Sequence, residues 1–397
     1  MRNYDMSGFN FDIYDVVDIL RLHIHHVNAQ SIDVNCPFCG SKGKLNINKE
    51  KNVYHCNKCD VQGGMLQLYA ELHNVTFSEA NRQIREALNR DVCRSDYDKK
   101  EWKEKKPVQN ALLATPDEID HTYSVMLSML TLNQKHREDL SNRGLTDLQI
   151  EEQKYRSAPI FGLKALVRKM IEKGCTVKGV PGFYQDKDGI WFVNFKAKNS
   201  GFLIPIRQNG RILGMQIRLD HPIDKMKYIW FSSVNYELGV SSGSPVHVIG
   251  DVNAKNIYIT EGALKGTIAH YLSGHTFVCV AGVNQYRNLK PVLEMLKESG
   301  MKYVYEAYDM DKKVQTACDR HDRKCAECKL TEKPRICPYK ADRQKIIQRG
   351  CQMAYEICRS ISVPVERMVW DMNEKGEWNG DLKGIDDFYY SEKQVNR

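Results

Sequence analysis

Residues 256–282 read NIYITEGALKGTIAHYLSGHTFVCVAG. An apolar run ends in Glu261-Gly262, a helix-forming segment closes on Gly274, and a second apolar run follows. Strand, helix, strand at this spacing is the rhythm of a parallel sheet with right-handed crossovers. The rhythm continues downstream. NLKPVLEMLKESG predicts a helix, MKYVYEAYDMD a strand ending in Asp309-x-Asp311, 342–359 a helix and VERMVWD a strand. In such sheets ligands gather beyond the carboxyl ends of the strands. If the strands carrying Glu261 and Asp309/Asp311 are neighbours, three carboxylates converge at one edge. Hard oxygen donors of this kind suit Mg2+ or Mn2+. Asp386 and Asp387, in KGIDDF, either extend that shell or cap a helix.

Upstream the pattern changes. Residues 190–231 are β-rich, with GFLIPIRQNGRILGMQIRL folded back at QNG, a hairpin turn signal. Residues 116–173 read as helices with a break at Arg143-Gly144, and 95–110 as a charged linker closed near a Pro. GGMLQLYAELHNV and TFSEANRQIREAL predict two helices, the second capped by Ser78, and 10–28 predicts a short helix.

Between them lies CPFCGSKGKLNINKEKNVYHCNKC, residues 36–59. Two Cys-x-x-Cys turns beside a short hairpin are the layout of a zinc ribbon. Cys36, Cys39, Cys56 and Cys59 fill all four tetrahedral positions with thiolates, which makes the site structural rather than catalytic. Tyr54 and the surrounding lysines give the ribbon a basic, aromatic profile suited to single-stranded nucleic acid, with a packed Tyr54 as the alternative.

Thirteen cysteines in a chain of net charge +8 is unusual for a reducing compartment unless they bind metal. A second set, Cys318, Cys325, Cys328 and Cys337, falls in a segment (312–349) with twelve Lys/Arg and five Asp/Glu. Zn2+ fits this second set, and an iron–sulfur cluster is compatible with the same ligands. Two positive, Cys-bearing segments point to a polyanionic partner. The amino-terminal residues lack the apolar core of a signal peptide, and no run approaches the length of a membrane helix. A cytoplasmic protein without membrane contact is therefore expected.

Several of these motifs, in this order, resemble one family. Glu261-Gly262 followed by Asp309-x-Asp311 resembles the TOPRIM domain of primases and topoisomerases. CPFCG…YHCNKC, Gly-Gly, a helix and TFSEA resemble the zinc-binding domain of bacterial DnaG-type primases. LSNRGLTDLQI and GFLIPIRQNGRILGMQIRLD…KYIWFSS resemble that family's polymerase core and basic subdomain. TEGALKG, VAGVN and KGIDD are similar to phage and mobile-element versions. The chain departs from the pattern at Cys39, where many relatives have His, and at Met310, where Gly is usual.

The resemblance implies an α+β multidomain chain. It would comprise a zinc ribbon over 1–94, a linker over 95–115, a mixed α/β basic subdomain over 116–250 and a mostly parallel TOPRIM domain over 251–397 with a Cys-rich insertion at 312–340. It implies a DNA primase making short RNA primers on single-stranded DNA from NTPs. Glu261, Asp309 and Asp311 would be catalytic and, with Asp386 and Asp387, would hold Mg2+ or Mn2+. Arg211, Arg218 and Lys227 would contact phosphate or template. No phosphate loop for a helicase is present in the sequence, so a replicative helicase would act in trans. A TOPRIM nuclease and a non-catalytic zinc-dependent nucleic-acid-binding protein are the alternatives.

Overall fold

The computed structural model describes residues 11–28, 30–73, 75–89, 109–223, 226–318, 328 and 330–395. The chain divides into two compact units, Met1–Lys106 and Pro107–Arg397. The expected linker at 95–110 lies almost wholly outside the described residues.

The first unit contains α1 (Ile13–Ile19), β1 (Ile24–Val27), β2 (Ser31–Val34), β3 (Leu45–Asn48), β4 (Val53–Cys56), β5 (Gln62–Gly64), α2 (Met65–His73) and α3 (Phe77–Asn89). The strands pair antiparallel in sequence order. The short helix expected within residues 10–28 is α1, and the remainder of that stretch carries the strand β1. Asp12 starts α1 with a capping box, but Arg21 takes a φ of 49°, and pairing with β2 recruits the following residues as a strand. Thr76, not Ser78, caps α3, accepting from the Glu79 amide at 3.3 Å. Alternation along β2 and β3 buries Ile32, Val34, Leu45 and Ile47 against Ile13, Val16, Val17, Leu68 and Ile84 of the helices.

In the second unit, α4 (Pro116–Ser128), α5 (Gln134–Asn142), α6 (Asp147–Glu152), β6 (Arg156–Ser157), α7 (Leu163–Glu172) and the hairpin β7 (Phe183–Gln185)/β8 (Trp191–Val193) precede the long hairpin β9 (Gly201–Gln208)/β10 (Arg211–Ile223) and β11 (Met226–Trp230). The sheet order is β11-β10-β9-β6. Arg211 faces Gln208, so Asn209 and Gly210 form a two-residue turn; their φ values of 50° and 76° are those the tight hairpin demands.

A second sheet, in the order β12-β14-β13-β15-β16, follows from β12 (His247–Ile249), β13 (Asn256–Glu261), α8 (Ala263–Ser273), β14 (Thr276–Val280), α9 (Leu289–Glu298), β15 (Tyr303–Glu306), α10 (Pro338–Ser360), β16 (Val365–Arg367) and α11 (Ile385–Val395). β14, β13, β15 and β16 run parallel, and β12 runs antiparallel along β14. The core behind this sheet joins Ile257, Ile259 and Val304 to Leu293 and Leu296 of α9 and Cys351 and Ala354 of α10. On the other face, Phe277 and Cys279 pack with Ala269 of α8 and Ile385 of α11. The architecture is therefore α+β: a ribbon with a cysteine cluster, then α/β substructures.

β15 stops earlier than its sequence suggests. The strand ends at Glu306, whose side chain accepts from the Tyr308 amide at 3.0 Å. That bond satisfies a backbone donor in place of the ladder. Asp309 and Asp311 consequently lie on the turn beyond the strand, Asp311 within the short 3-10 helix Met310–Lys313.

Candidate functional sites: a thiol cluster and an acidic sheet edge

In the first unit each Cys-x-x-Cys forms the same knuckle. The Cys36 amide donates to Ser41 O at 2.8 Å and the Gly40 amide to Cys36 O at 2.9 Å. The Cys56 amide donates to Val61 O at 2.8 Å and the Asp60 amide to Cys56 O at 2.9 Å. The fifth residue of each knuckle has a positive φ, 68° at Gly40 and 58° at Asp60. Asp tolerates that region better than most residues, and its carboxylate also holds His55 Nε2 at 2.7 Å. All four sulfurs lie within 4.8 Å of one another. Cys36 to Cys59 and Cys39 to Cys56 are 3.8 Å apart. Four thiolates about 2.3 Å from a tetrahedral Zn2+ are separated by about 3.8 Å along each edge, so the cage fits this ion. Crowded together, the thiols share protons: hydrogen bonding to Cys36 pulls Cys39 down, and the same contact pushes Cys36 up.

Tyr54 takes the packed alternative. It is 1% exposed and stacks on Phe38, so it has no face to offer a base. The basic character of the ribbon does reach the surface: Lys42, Lys44, Lys51 and Lys58 are exposed. Lys49, also exposed, pairs with Asp12 and lies over the Tyr14 ring.

The second unit brings the acidic residues to one edge. β13 and β15 are direct parallel neighbours, with Ile259 opposite Glu306. Glu261, the last residue of β13, therefore stands level with the start of the turn that carries Asp309. Gly262, at φ 85°, swings the chain into α8 while its amide holds Val280 O at 2.7 Å. Glu261 Oε2 accepts from the Val283 amide at 3.3 Å, and Oε1 lies 3.4 Å from Lys265 Nζ. The same ammonium hydrogen-bonds Asp309 Oδ1. Lys383 Nζ lies 3.3 Å from Asp309 Oδ2 and 2.7 Å from Asp311 Oδ2, and Arg343 also reaches Asp311. Among the described residues, only the four cysteines draw three or more ligand atoms within 4.8 Å of each other. At the acidic edge, Lys265 contacts both Glu261 and Asp309, and Lys383 both Asp309 and Asp311.

Two buried oxygens there have no hydrogen bond: Asp309 Oδ2, which Lys383 approaches without alignment, and Asp386 Oδ1. A buried carboxylate oxygen in this condition is one a cation would satisfy; Asp309, Asp311 and Asp386 would be the residues to hold a divalent ion, and their oxygens would have to draw closer together to do so. Burial and the charge of Glu261 push the Asp309 carboxyl up to about 6; burial and Asp387 do the same to Asp386. Burial also acts to raise Glu261, but Lys265, a hydrogen bond shared with Asp309 and the Lys383 charge together outweigh it and leave that carboxyl below its usual range. Asp387 is turned away: it is exposed, and its Oδ2 accepts from the Gly384 amide at 2.8 Å, capping α11.

The turn bearing Asp309 and Asp311 is anchored from below. Lys312 and Glu306 are both 0% exposed and pair at 2.7 Å. Lys312 also donates to Met368 O at 2.8 Å and sits over the Trp370 ring. Glu306 Oε2 takes Arg367 at 3.0 Å and Tyr355 OH at 3.2 Å. Removing one partner of a buried pair strands the other charge. Lys312→Met is therefore expected to cost about 3–5 kcal/mol in denaturant unfolding; a loss under about 1 kcal/mol would contradict this anchoring role.

Of the expected phosphate contacts, Lys227 is exposed on β11. Arg211 pairs with Asp117. Arg218 is held by Asp139 at 3.2 Å and Tyr228 OH at 2.8 Å, with its guanidinium over the Phe202 and Tyr228 rings. Arg207 on β9, which the sequence did not single out, is half-buried and has no carboxylate within ion-pair distance among the described residues. In the second cysteine set, Cys318 and Cys337 are both buried, close to the bridge pairing Ala317 with Ile336. Cys325 lies outside the described residues.

A thiol-caged ribbon and an α/β core with an acidic strand edge define the class of protein. Residues 7–100 match the family model of the CHC2 zinc finger, the DnaG zinc ribbon. A DNA primase of Lactococcus lactis subsp. lactis is 26% identical over 295 residues, 71% of this chain and 44% of that protein, so the chain spans less than half of that relative's length. The chain is thus related to the DnaG-type primases. Among solved structures, the Aquifex aeolicus primase (zinc-binding and RNA polymerase domains) aligns over 98% of this chain and 82% of that one, with 16% identity and a TM-score of 0.45. The RNA polymerase domain of Mycobacterium tuberculosis DnaG, in complex with double-stranded DNA with a 6-nucleotide overhang, aligns over 60% of this chain and 81% of that one, with 14% identity and a TM-score of 0.37. No helix among the described residues is long and apolar enough to cross a membrane.

Proposed function

We propose that the chain is a DNA primase that joins nucleotides into short RNA primers on a single-stranded DNA template. The observation that carries this reading is the meeting of Glu261 and the Asp309–Asp311 turn at the ends of two adjacent parallel strands, with Asp309 Oδ2 buried and unsatisfied. Mg2+ or Mn2+ bound there would lower the pKa of an attacking 3′-hydroxyl and neutralise a leaving pyrophosphate. The chain's own residues do the positioning. Asp309 and Asp311, on a turn made rigid by the Lys312–Glu306 pair, and Asp386, in the first turn of α11, would supply the oxygen ligands. Glu261, fixed by the Val283 amide and kept ionised by Lys265, is placed to take a proton. Exposed Lys227, half-buried Arg207 and the ribbon lysines supply charge for phosphates, and Arg211 and Arg218 join them by exchanging their present carboxylate partners. Zn2+ in the Cys36/Cys39/Cys56/Cys59 cage holds the ribbon, and the set Cys318, Cys325, Cys328 and Cys337 is proposed as a second metal site. A helicase in trans would deliver the template.

The test is incubation with single-stranded DNA, labelled NTPs and Mg2+ or Mn2+. Short labelled oligomers are expected; template degradation without synthesis would favour a nuclease instead. Protons compete with the metal for Asp309 and Asp386, whose carboxyls titrate near 6. Binding displaces those protons, so Mn2+ affinity is expected to be flat above about pH 7 and to fall roughly tenfold per unit, for each proton displaced, below about pH 6. A pH-independent affinity between 5 and 7 in a Mn2+ titration would count against these ligands.

A further inference from the structure

Lys265 is not an ordinary surface lysine. It lies one turn into α8, four residues after Glu261, and its side chain returns over the end of β13. Its ammonium contacts Glu261 Oε1 and Asp309 Oδ1 together, bridging the two carboxylates at this edge. The lysine side chain is 25% exposed, and that of Asp309 only 2%. The other cations at the edge are different in kind: Lys383 is 40% exposed and Arg343 57% exposed, so both can swing away into water. A divalent ion bridging Glu261 and Asp309 would need the lone pairs Lys265 already holds. The unsatisfied oxygens, Asp309 Oδ2 and Asp386 Oδ1, are ones Lys265 does not hydrogen-bond.

From this we propose, resting on the cation-site reading above, that Lys265 is a built-in cation occupying the Glu261–Asp309 position, so that the edge binds one divalent ion, through Asp309, Asp311 and Asp386, in place of a pair. The ammonium supplies fixed positive charge where a second ion would otherwise sit. Unlike a metal ion it cannot be lost to dilution, and its one remaining N–H can be donated to a phosphate oxygen. Lys265 is on this view a positioning residue for the cation and the nucleotide.

The experiment is a Mn2+ titration of the zinc-loaded full chain, followed by the paramagnetic resonance of free Mn2+, with no nucleotide present. Wild type is expected to bind one Mn2+ that Asp311→Asn loses. Lys265→Met, which keeps the stem and removes the charge, is expected to bind a second Mn2+ and to hold the first about tenfold tighter, as befits the loss of a charge-assisted competitor. Lys383→Met, at an ammonium that pairs with Asp309 Oδ2 and Asp311 Oδ2 and not with Glu261, is expected to tighten the first ion without adding a second. Lys265→Gln, neutral but still hydrogen-bonding, gives the same readout if the Met variant melts early. A Lys265→Met or Lys265→Gln protein that binds the same number of ions as wild type, with the same affinity, would overturn the inference and leave the cation site intact. Wild-type binding that survives Asp311→Asn would instead remove the site itself, and the role of Lys265 with it.

Discussion

Asp309→Asn/Asp311→Asn is expected to reduce primer synthesis by about 10³-fold or more, while single-stranded DNA binding stays within about twofold of wild type. Asn keeps the shape of each side chain and removes the charge a divalent ion needs. The two aspartates lie on one short turn, and their present partners are Lys265, Lys383 and Arg343. Neutralising them releases cations rather than burying new ones, so the fold is expected to survive, as a thermal melt would verify. Binding to the template draws on lysines elsewhere, which is why it separates from synthesis. Residual synthesis within about tenfold of wild type would take the chemistry away from this edge. Loss of DNA binding, in a chain with no synthesis to lose, would favour the non-catalytic reading.

Zinc removal is expected to have the other large effect. The ribbon sheet is made of strands of three or four residues, and three of the four thiols are buried with its core. Structural zinc contributes roughly 10–16 kcal/mol of binding free energy in small ribbons and fingers, as much as the whole net stability of an ordinary domain. Chelation, or Cys56→Ser, should therefore unfold residues 11–89 as a unit. Limited proteolysis is the check: rapid loss of this unit with survival of a fragment near 107–397 is the expected pattern. A protease-resistant ribbon after complete zinc removal would show that its apolar core is sufficient alone.

The parts of this molecule readable in the sequence are those fixed by local rules. The knuckles follow from Cys-x-x-Cys spacing, the β9–β10 turn from Asn209-Gly210, and the parallel sheet from alternating apolar strands and helices. What was hidden depends on contacts between distant residues. Lys265 meets Asp309 across 44 positions, and Arg343 meets Asp311 across 32. Neither pairing leaves a trace in spacing. Lys312 counts as one more cation in a basic segment, yet it is fully buried beside the edge. Tyr54 sits among lysines in sequence, but strand alternation turns it inward. Asp60 reads as an ordinary polar residue until its φ of 58° shows why a knuckle tolerates it. The end of β15 was misplaced because a side chain, Glu306, took over a backbone hydrogen bond.

The most direct test of the central claim is the anomalous scattering of manganese in crystals of the full chain soaked with MnCl2. The account predicts a peak within coordination distance of Asp309 and Asp311, beside Asp386 and clear of the Lys265 ammonium. An edge without manganese, in crystals whose protein makes primers in the same buffer, would contradict it.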